Sequence, residues 1–365
     1  MSASNIEWTD FTWNPVRGCS RKSKGCLNCY AEHQAARIVR MDRGRGIPEG
    51  QGAYDGLVEM TSQGPKWTGK ISEVWDALET PLRMKKPRRI FVNSMSDLFH
   101  DGVSENFIAE VLAHAAYARQ HTFQILTKCP ERMQKLLTSE AFMELYEDAC
   151  SGVSVEAEEI LARRGEFSVH ARLTTDIRAM NPAWPRPNIQ LGVSTEDQDT
   201  ANERVPLLLA TPAAVRFVSA EPLLGAIDFT RIQNAGPLHT KAAFINALRG
   251  GTWGEVPTTG ERLRITHGPL ETLDWIIAGG ESGHKARPSH PDWYRSLRDQ
   301  CAAAGVPFLF KQWGQWRPTD TDYVVDERQN TLPIHRWTNG DRSAKVGKKA
   351  AGRLLDGIEH NGFPS

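Results

Sequence analysis

The feature that most constrains the fold of this chain is a series of short apolar runs, each ending in a polar or glycine-rich cluster. Arg89–Asn93 (RIFVN) runs into Ser94, Ser96 and Asp97, and Thr122–Leu126 (TFQIL) into Thr127, Lys128 and Cys129. Ile189–Val193 (IQLGV) leads to Ser194, Thr195 and Glu196, and Val215–Val218 (VRFV) to Ser219, Ala220, Glu221 and Pro222. Leu273–Ala278 (LDWIIA) ends in Gly279, Gly280, Glu281, Ser282 and Gly283, and Val306–Phe310 (VPFLF) in Lys311, Gln312 and Trp313. A strand that is apolar at nearly every position needs both faces covered, which points to parallel strands between layers of helix. Helix-period stretches separate them. Ser104 caps one reaching Gln120, with Phe107, Ile108, Val111, Leu112 and Ala115 on its apolar face. Pro130 opens another towards Leu137, and Asp197–Leu209 and Pro291–Ala304 read as two more. A seventh strand is expected around Asn5–Thr12. The fold class is therefore α/β: a (β/α) barrel, partial or complete, over residues 1–313, with its site at the carboxyl ends of the strands.

Two long insertions, Ser139–Asn188 and Arg231–Glu271, interrupt the series and are expected to pass over the site or around the rim. Ala31–Val39 reads as a short helix and Gly44–Gly56 as a mobile loop. Ser72–Arg83 has a helical pattern with Val74, Leu78 and Leu82 on one face. Residues 314–365 form a C-terminal extension containing Trp316, Trp337, Lys348, Lys349 and Arg353, with a basic helix end expected at Lys345–Leu355. Such residues either bind phosphate and stack bases or form a solvated face. Charge is balanced, 44 basic residues against 44 acidic, so no global field steers the chain to nucleic acid or lipid. The N-terminus lacks a leader pattern and no apolar run is long enough to span a membrane, so the cytoplasm is the expected compartment.

Between Trp13 and Tyr30 (WNPVRGCSRKSKGCLNCY), Cys19, Cys26 and Cys29 are spaced C-x6-C-x2-C, three of the six cysteines within eleven residues. Thiolates gathered on a loop suit a soft metal or an iron–sulfur cluster. Gly18 and Gly25 each precede a cysteine and free the backbone there. Arg17, Arg21, Lys22 and Lys24 are expected to lower the thiol pKa values and offset cluster charge. Two metal readings stand open. Three thiols hold a four-iron cluster with one iron left for a small molecule; alternatively, His33 joins them in a closed zinc tetrahedron.

The ordered blocks IEWTDFTWNPVRGCSRKSKGCLNCYAE, FVNSMSDLFHD, ILTK, LGVSTEDQ, RFVSAEPLL, IAGGESG, FLFKQWG and GKKAAGRLLDG resemble the phage- and prophage-associated three-cysteine family of uncharacterised radical-SAM-like proteins. The resemblance covers most of the chain apart from the two insertions. The cysteine spacing departs from the usual C-x3-C-x2-C, and Cys129 stands where arginine is expected after ILTK. What the resemblance implies is a radical S-adenosylmethionine enzyme on a partial or full (β/α) barrel. Cys19, Cys26 and Cys29 would hold a [4Fe-4S] cluster whose open iron binds the amino and carboxylate groups of S-adenosylmethionine. An electron from a flavodoxin- or ferredoxin-type donor would then release a 5′-deoxyadenosyl radical that takes a hydrogen from the substrate.

On that reading Glu196, Glu221, Glu281 and Asp97 offer acceptors to the cofactor's amino group, and Ser194, Ser219 and Lys128 offer donors to its carboxylate. Asn93 adds a strand-end amide, Gly279 and Gly280 permit close approach, and Tyr30 stacks on adenine. Cys129, beside Lys128, is the candidate for returning a hydrogen atom to a substrate radical. His100 and Asp101 read either as an acid/base pair or as part of a helix cap. Cys150 and Cys301 read as buried small hydrophobes. The expected substrate is a nucleic-acid base or nucleotide, as in phage-type DNA modification. The alternatives are a zinc-stabilised nucleic-acid-binding or nuclease-associated protein, and a degenerate barrel serving as a partner subunit.

Overall fold

The computed structural model describes residues 2–4, 6–163, 183–233, 243–255, 262–264 and 271–364. The chain divides into two compact units. The first comprises Met1–Lys22, Ala31–Leu191 and Thr211–Ala214; the second comprises Ser23–Tyr30, Gly192–Ala210 and Val215–Ser365.

In the first unit β1 (Ser2–Ala3) pairs antiparallel with β2 (Phe11–Trp13). After β3 (Val16–Arg17) and the cysteine loop comes α1 (Tyr30–Gly44), then the hairpin β4 (Val58–Thr61) and β5 (Gly64–Trp67). The short β6 (Ser72–Glu73) pairs with β3. β7 (Arg89–Val92) lies parallel to β2 and to β8 (Thr122–Thr127), with Ile90 opposite both Phe11 and Phe123. Between them α2 (Glu105–Tyr117) starts where Ser104 Oγ accepts from Phe107 N at 3.2 Å. Its expected face of Phe107, Ile108, Val111, Leu112 and Ala115 is buried. α3 (Pro130–Leu137) follows β8 with proline in its first turn.

The first insertion begins with a long helix, α4 (Glu140–Arg163), which packs along α2 through buried Phe142, Tyr146, Ala149 and Cys150. This stretch joins the helices α2 and α3 of the first unit. Residues 164–182 of that insertion lie outside the described residues. β9 (Ile189–Ser194) is divided between the units after Leu191.

In the second unit α5 (Gln198–Leu209) is opened by a capping box, in which Asp197 accepts from Thr200 N and Thr200 from Asp197 N. β10 (Val215–Ala220), β15 (Trp275–Gly279) and β16 (Phe308–Gln312) are parallel, with Phe217 opposite Trp275 and Ile276 opposite Phe308. Between β10 and β15 the second insertion supplies an antiparallel sheet of β11 (Ile232–Gln233), β12 (Ala243–Ile245), β13 (Thr252–Glu255) and β14 (Arg262–Arg264). Residues 234–242, 256–261 and 265–270 of it lie outside the described residues. α6 (Pro291–Ala304) precedes β16 with the bounds that the sequence predicts. The extension folds as β17 (Trp316–Thr319), β18 (Ile334–Arg336) and β19 (Arg342–Lys345), followed by one turn, α7 (Lys348–Ala351), in place of the longer basic helix. The last residues then return to β16. Gly362 N donates to Phe308 O, Phe310 N to His360 O, and Trp275 Nε1 to Gly362 O, so the β16 edge is covered.

The fold is thus mixed α/β, with the strand order β1-β2-β7-β8-β9-β10-β15-β16 and seven parallel strands. From β2 onwards each neighbour is the next parallel strand along the chain, without the reversal that defines a doubly wound sheet.

Two local expectations fail for identifiable reasons. Ser72–Arg83 forms β6, a single 3-10 turn at Trp75–Ala77 and further turns. Val74 N donates to Pro15 O, Trp13 Nε1 takes the Ala77 carbonyl at 2.8 Å, and Pro81 disfavours helix at Thr80. Leu78 and Leu82 are buried nonetheless. Gly44–Gly56 is an ordered turn, because the Asp55 carboxylate accepts from Gly50 N, Gly52 N and both terminal nitrogens of Arg43.

Candidate functional site

In the second unit the carboxyl ends of the parallel strands carry three glutamates, each with a definite partner. Glu196, after β9, is fully buried. Its Oε1 accepts from Ser23 Oγ at 2.7 Å and its Oε2 lies 3.4 Å from Arg204 Nη1, itself a buried cation on α5. Glu281, after β15, receives the Arg287 guanidinium at two oxygens, the Arg287 backbone N–H, and Asn28 Nδ2 at 3.1 Å. Arg287 also donates to Lys24 O. Both carboxylates therefore fasten the Ser23–Tyr30 half of the cysteine loop. Glu221, after β10, accepts Lys311 Nζ at 2.8 Å on each oxygen, with Gln312 Nε2 at 3.5 Å. Ser194 Oγ donates to the Glu221 carbonyl.

In the first unit the stretch through Cys19 is fixed beside the end of β7. Val16 N donates to Asn93 Oδ1, Ser96 Oγ donates to Val16 O, and Gly18 bridges to Ser96. Gly18 has φ +87°, and the Lys70 carbonyl lies where a side chain would project, so only glycine fits. Asn93 is buried with φ +61°, a conformation rare outside glycine and held here by Asn93 N donating to Trp13 O. His100 Nδ1 accepts from Gly102 N, which places the ring proton on Nε2, 2.7 Å from Ser20 Oγ. Burial pushes the His100 pKa down and keeps the ring neutral. Cys19, Cys26 and Cys29 are each half-buried.

A family model described as "Protein of unknown function (DUF5131)" matches residues 3–364. The chain belongs to the DUF5131 family. No curated protein and no solved structure matches it.

Several expected site residues have surroundings within the protein that the structure defines in this DUF5131 member. Asp97 accepts from Thr127 Oγ1, Lys128 N and Phe99 N, all within 3.0 Å, which fixes the end of β8. Lys128 is half-buried at that end. Cys129 is buried at the start of α3, and desolvation pushes its thiol up to about 12, so it stays protonated. His100 and Asp101 are not a pair, since Asp101 joins Lys22 at 3.0 Å and His100 joins Ser20. Nor does either residue cap α2, a role that Ser104 fills.

The basic residues of the loop are matched to other groups. Arg21 grips Glu32, Lys24 lies 3.4 Å from Asp197, and Arg17 sits over the Tyr54 ring. Gly279 and Gly280 serve the protein's own packing. The Glu221 side chain lies against Gly279, and a side chain at Gly280 would meet the Trp313 carbonyl carbon at 2.6 Å. Ser219 is buried on β10, and its carbonyl accepts from Thr195 N. Tyr30 is exposed at the start of α1. His33 is exposed on α1, with its ring beside Gly64 of the hairpin. Cys150 and Cys301 are buried in α4 and α6, as expected.

Among the described residues, His290, Asp292 and Asp341 bring ligand-type atoms within 4.8 Å of one another. His290 Nδ1 already accepts from Asp292 N as the cap of α6, and Arg295 holds Asp292 at 2.8 Å. The tail indoles are likewise engaged, Trp316 with Ala286 O and Trp337 with Ser343 Oγ. Ser23, Asn28, Arg204 and Arg287 escape sequence reasoning. Arg287, six residues after Glu281, is the one with a local signal.

Proposed function

We propose that this protein is a radical S-adenosylmethionine enzyme on a partial (β/α) barrel, with Cys19, Cys26 and Cys29 as the ligands of a [4Fe-4S] cluster. The observation that carries the reading is the fastening of the Cys26–Cys29 stretch by Glu196 and Glu281, two buried carboxylates at the carboxyl ends of parallel strands. That edge is where parallel α/β sheets do their chemistry. A set of three thiolates suits an iron–sulfur cluster with one iron left for a small ligand. When bound, the cluster and S-adenosylmethionine supply a one-electron route to a 5′-deoxyadenosyl radical.

The chain's own residues bind and orient. Glu196 and Glu281 hold the loop and are committed to it. Glu221 and Lys311, an ion pair at the ends of β10 and β16, would exchange each other for the ammonium and carboxylate of the cofactor's amino-acid part. Tyr30, exposed next to Cys29, would stack on the cofactor's adenine. The proposed substrate class is a nucleic-acid base or nucleotide, supported by exposed Lys348 and Lys349 on α7. A flavodoxin- or ferredoxin-type protein would supply the electron.

Anaerobic purification with iron and sulfide assay is the test. A brown protein with about four iron per chain is expected, and Cys26→Ala should abolish reductive cleavage of S-adenosylmethionine. A colourless, zinc-loaded product would overturn the reading in favour of a closed structural site. Nucleoside mass spectrometry of cells with and without the active gene tests the substrate class.

A further inference from the structure

Resting on the reading above, we propose that Glu196 is a positioning residue for Cys26, setting both where its sulfur sits and the redox poise of the centre it binds. Glu196 is immobilised on every side. Its N–H donates to Thr200 Oγ1, its carbonyl accepts from Leu224 N and Gly225 N, and its carboxylate is shared between Arg204 and Ser23. Arg204 is itself pinned, donating to Ser194 O at 2.8 Å. The carboxylate bears on the loop at two adjacent points. Ser23 Oγ lies 2.7 Å from Oε1 and 3.9 Å from Cys26 Sγ. A side chain on Gly25 would meet Glu196 Cγ at 2.6 Å and Cδ at 2.8 Å.

Gly25 lies in the middle of a 3-10 turn, Lys24–Cys26, and is not among the glycines with positive φ. What demands glycine there is the buried carboxylate pressed against its Cα, not the backbone conformation. The turn that carries Cys26 therefore rests directly on Glu196. A carboxylate one side chain away from an anionic centre disfavours adding an electron.

The experiment compares wild type, Gly25→Ala, Gly25→Ala with Glu196→Asp, Glu196→Gln and the remote control Gly44→Ala after anaerobic reconstitution. Gly44 has nothing within 4 Å of an added Cβ. Readouts are iron and sulfide per chain, thermal midpoint, and midpoint potential by EPR-monitored titration. Gly25→Ala should lose most of its iron while still unfolding cooperatively at a lowered thermal midpoint, and shortening the side chain with Glu196→Asp should restore the iron. Glu196→Gln should retain its iron and titrate at a more positive potential. Full iron in Gly25→Ala, or no rescue by Glu196→Asp, overturns the positioning role. An unmoved potential in Glu196→Gln overturns the redox role, and if that variant fails to fold, the Gly25→Ala pair still decides. Wild type without a cluster refutes the proposed function itself, an outcome distinct from a loaded wild type whose variants behave alike.

Discussion

Gly192 lies in the middle of β9, and the Phe217 ring of β10 sits over it. A Cβ there would meet the ring Cζ, Cε1 and Cε2 at 2.5–2.6 Å. Carbon atoms in ordinary contact are about 3.5–4.0 Å apart, so Gly192→Ala requires the ring to retreat by roughly 1 Å. Phe217 is fully buried and flanked by Trp275 at 5.7 Å, which blocks the retreat. The cost should fall in the upper part of the overpacking range, about 2–3 kcal/mol. Phe217→Leu alone, which thins the side chain and leaves a small void, should cost about 1–2 kcal/mol. The two errors compensate, because the methyl fills space the ring has vacated. The double variant should therefore lose about 1–2 kcal/mol less than the sum of the single losses, within the coupling known for touching residues. Urea unfolding followed by tryptophan fluorescence provides the cycle. Additivity within about 0.5 kcal/mol, or a Gly192→Ala protein as stable as wild type, would refute the packing argument.

Ser104→Ala removes the cap of α2 and should lower stability by about 1 kcal/mol, read as a lower urea midpoint; an unchanged midpoint counts against the cap. Arg295 and then Arg298 hold the Asp356 carboxyl down to about 2, below its ordinary 3.8. Its contribution is present above pH 3.8 and lost as pH falls towards 2, so the advantage of wild type over Asp356→Asn should vanish across that window in acid titrations. A constant difference from pH 5 to pH 2 would exclude the linkage. His33→Ala should leave iron content unchanged; loss of metal from this variant would revive the tetrahedral zinc site.

The parallel strands and their helices were legible because each carries its signal locally. Continuous apolar runs, the Ser104 and Asp197 caps and the first-turn prolines all act within a few residues of themselves. Where neighbours from elsewhere intervene, that legibility ends. The helical spacing of Val74, Leu78 and Leu82 does mark burial, but pairing of β6 with β3 and the captured Ala77 carbonyl override the helix. The strand-end carboxylates were visible as a set, and their tasks were not. Ser23 is 173 residues from Glu196 and Asn28 is 253 from Glu281, distances over which no pattern in the chain betrays a hydrogen bond. Asp97 is the same case, since a serine-rich turn gives no hint that Thr127 and Lys128 at the end of β8 will donate to it.

The order of synthesis gives the cysteine loop a waiting period. Its residues leave the ribosome early, yet the second unit that claims Ser23–Tyr30 is built from Gly192–Ala210 and Val215–Ser365. Cys26 and Cys29 must therefore stay unanchored until Glu196 and Glu281 have emerged, and the unit's last edge strand closes only when Gly362 reaches Phe308. If the loop binds a cluster as proposed, metal delivered during translation would meet a loose peptide, whereas metal delivered afterwards would meet a loop already fastened.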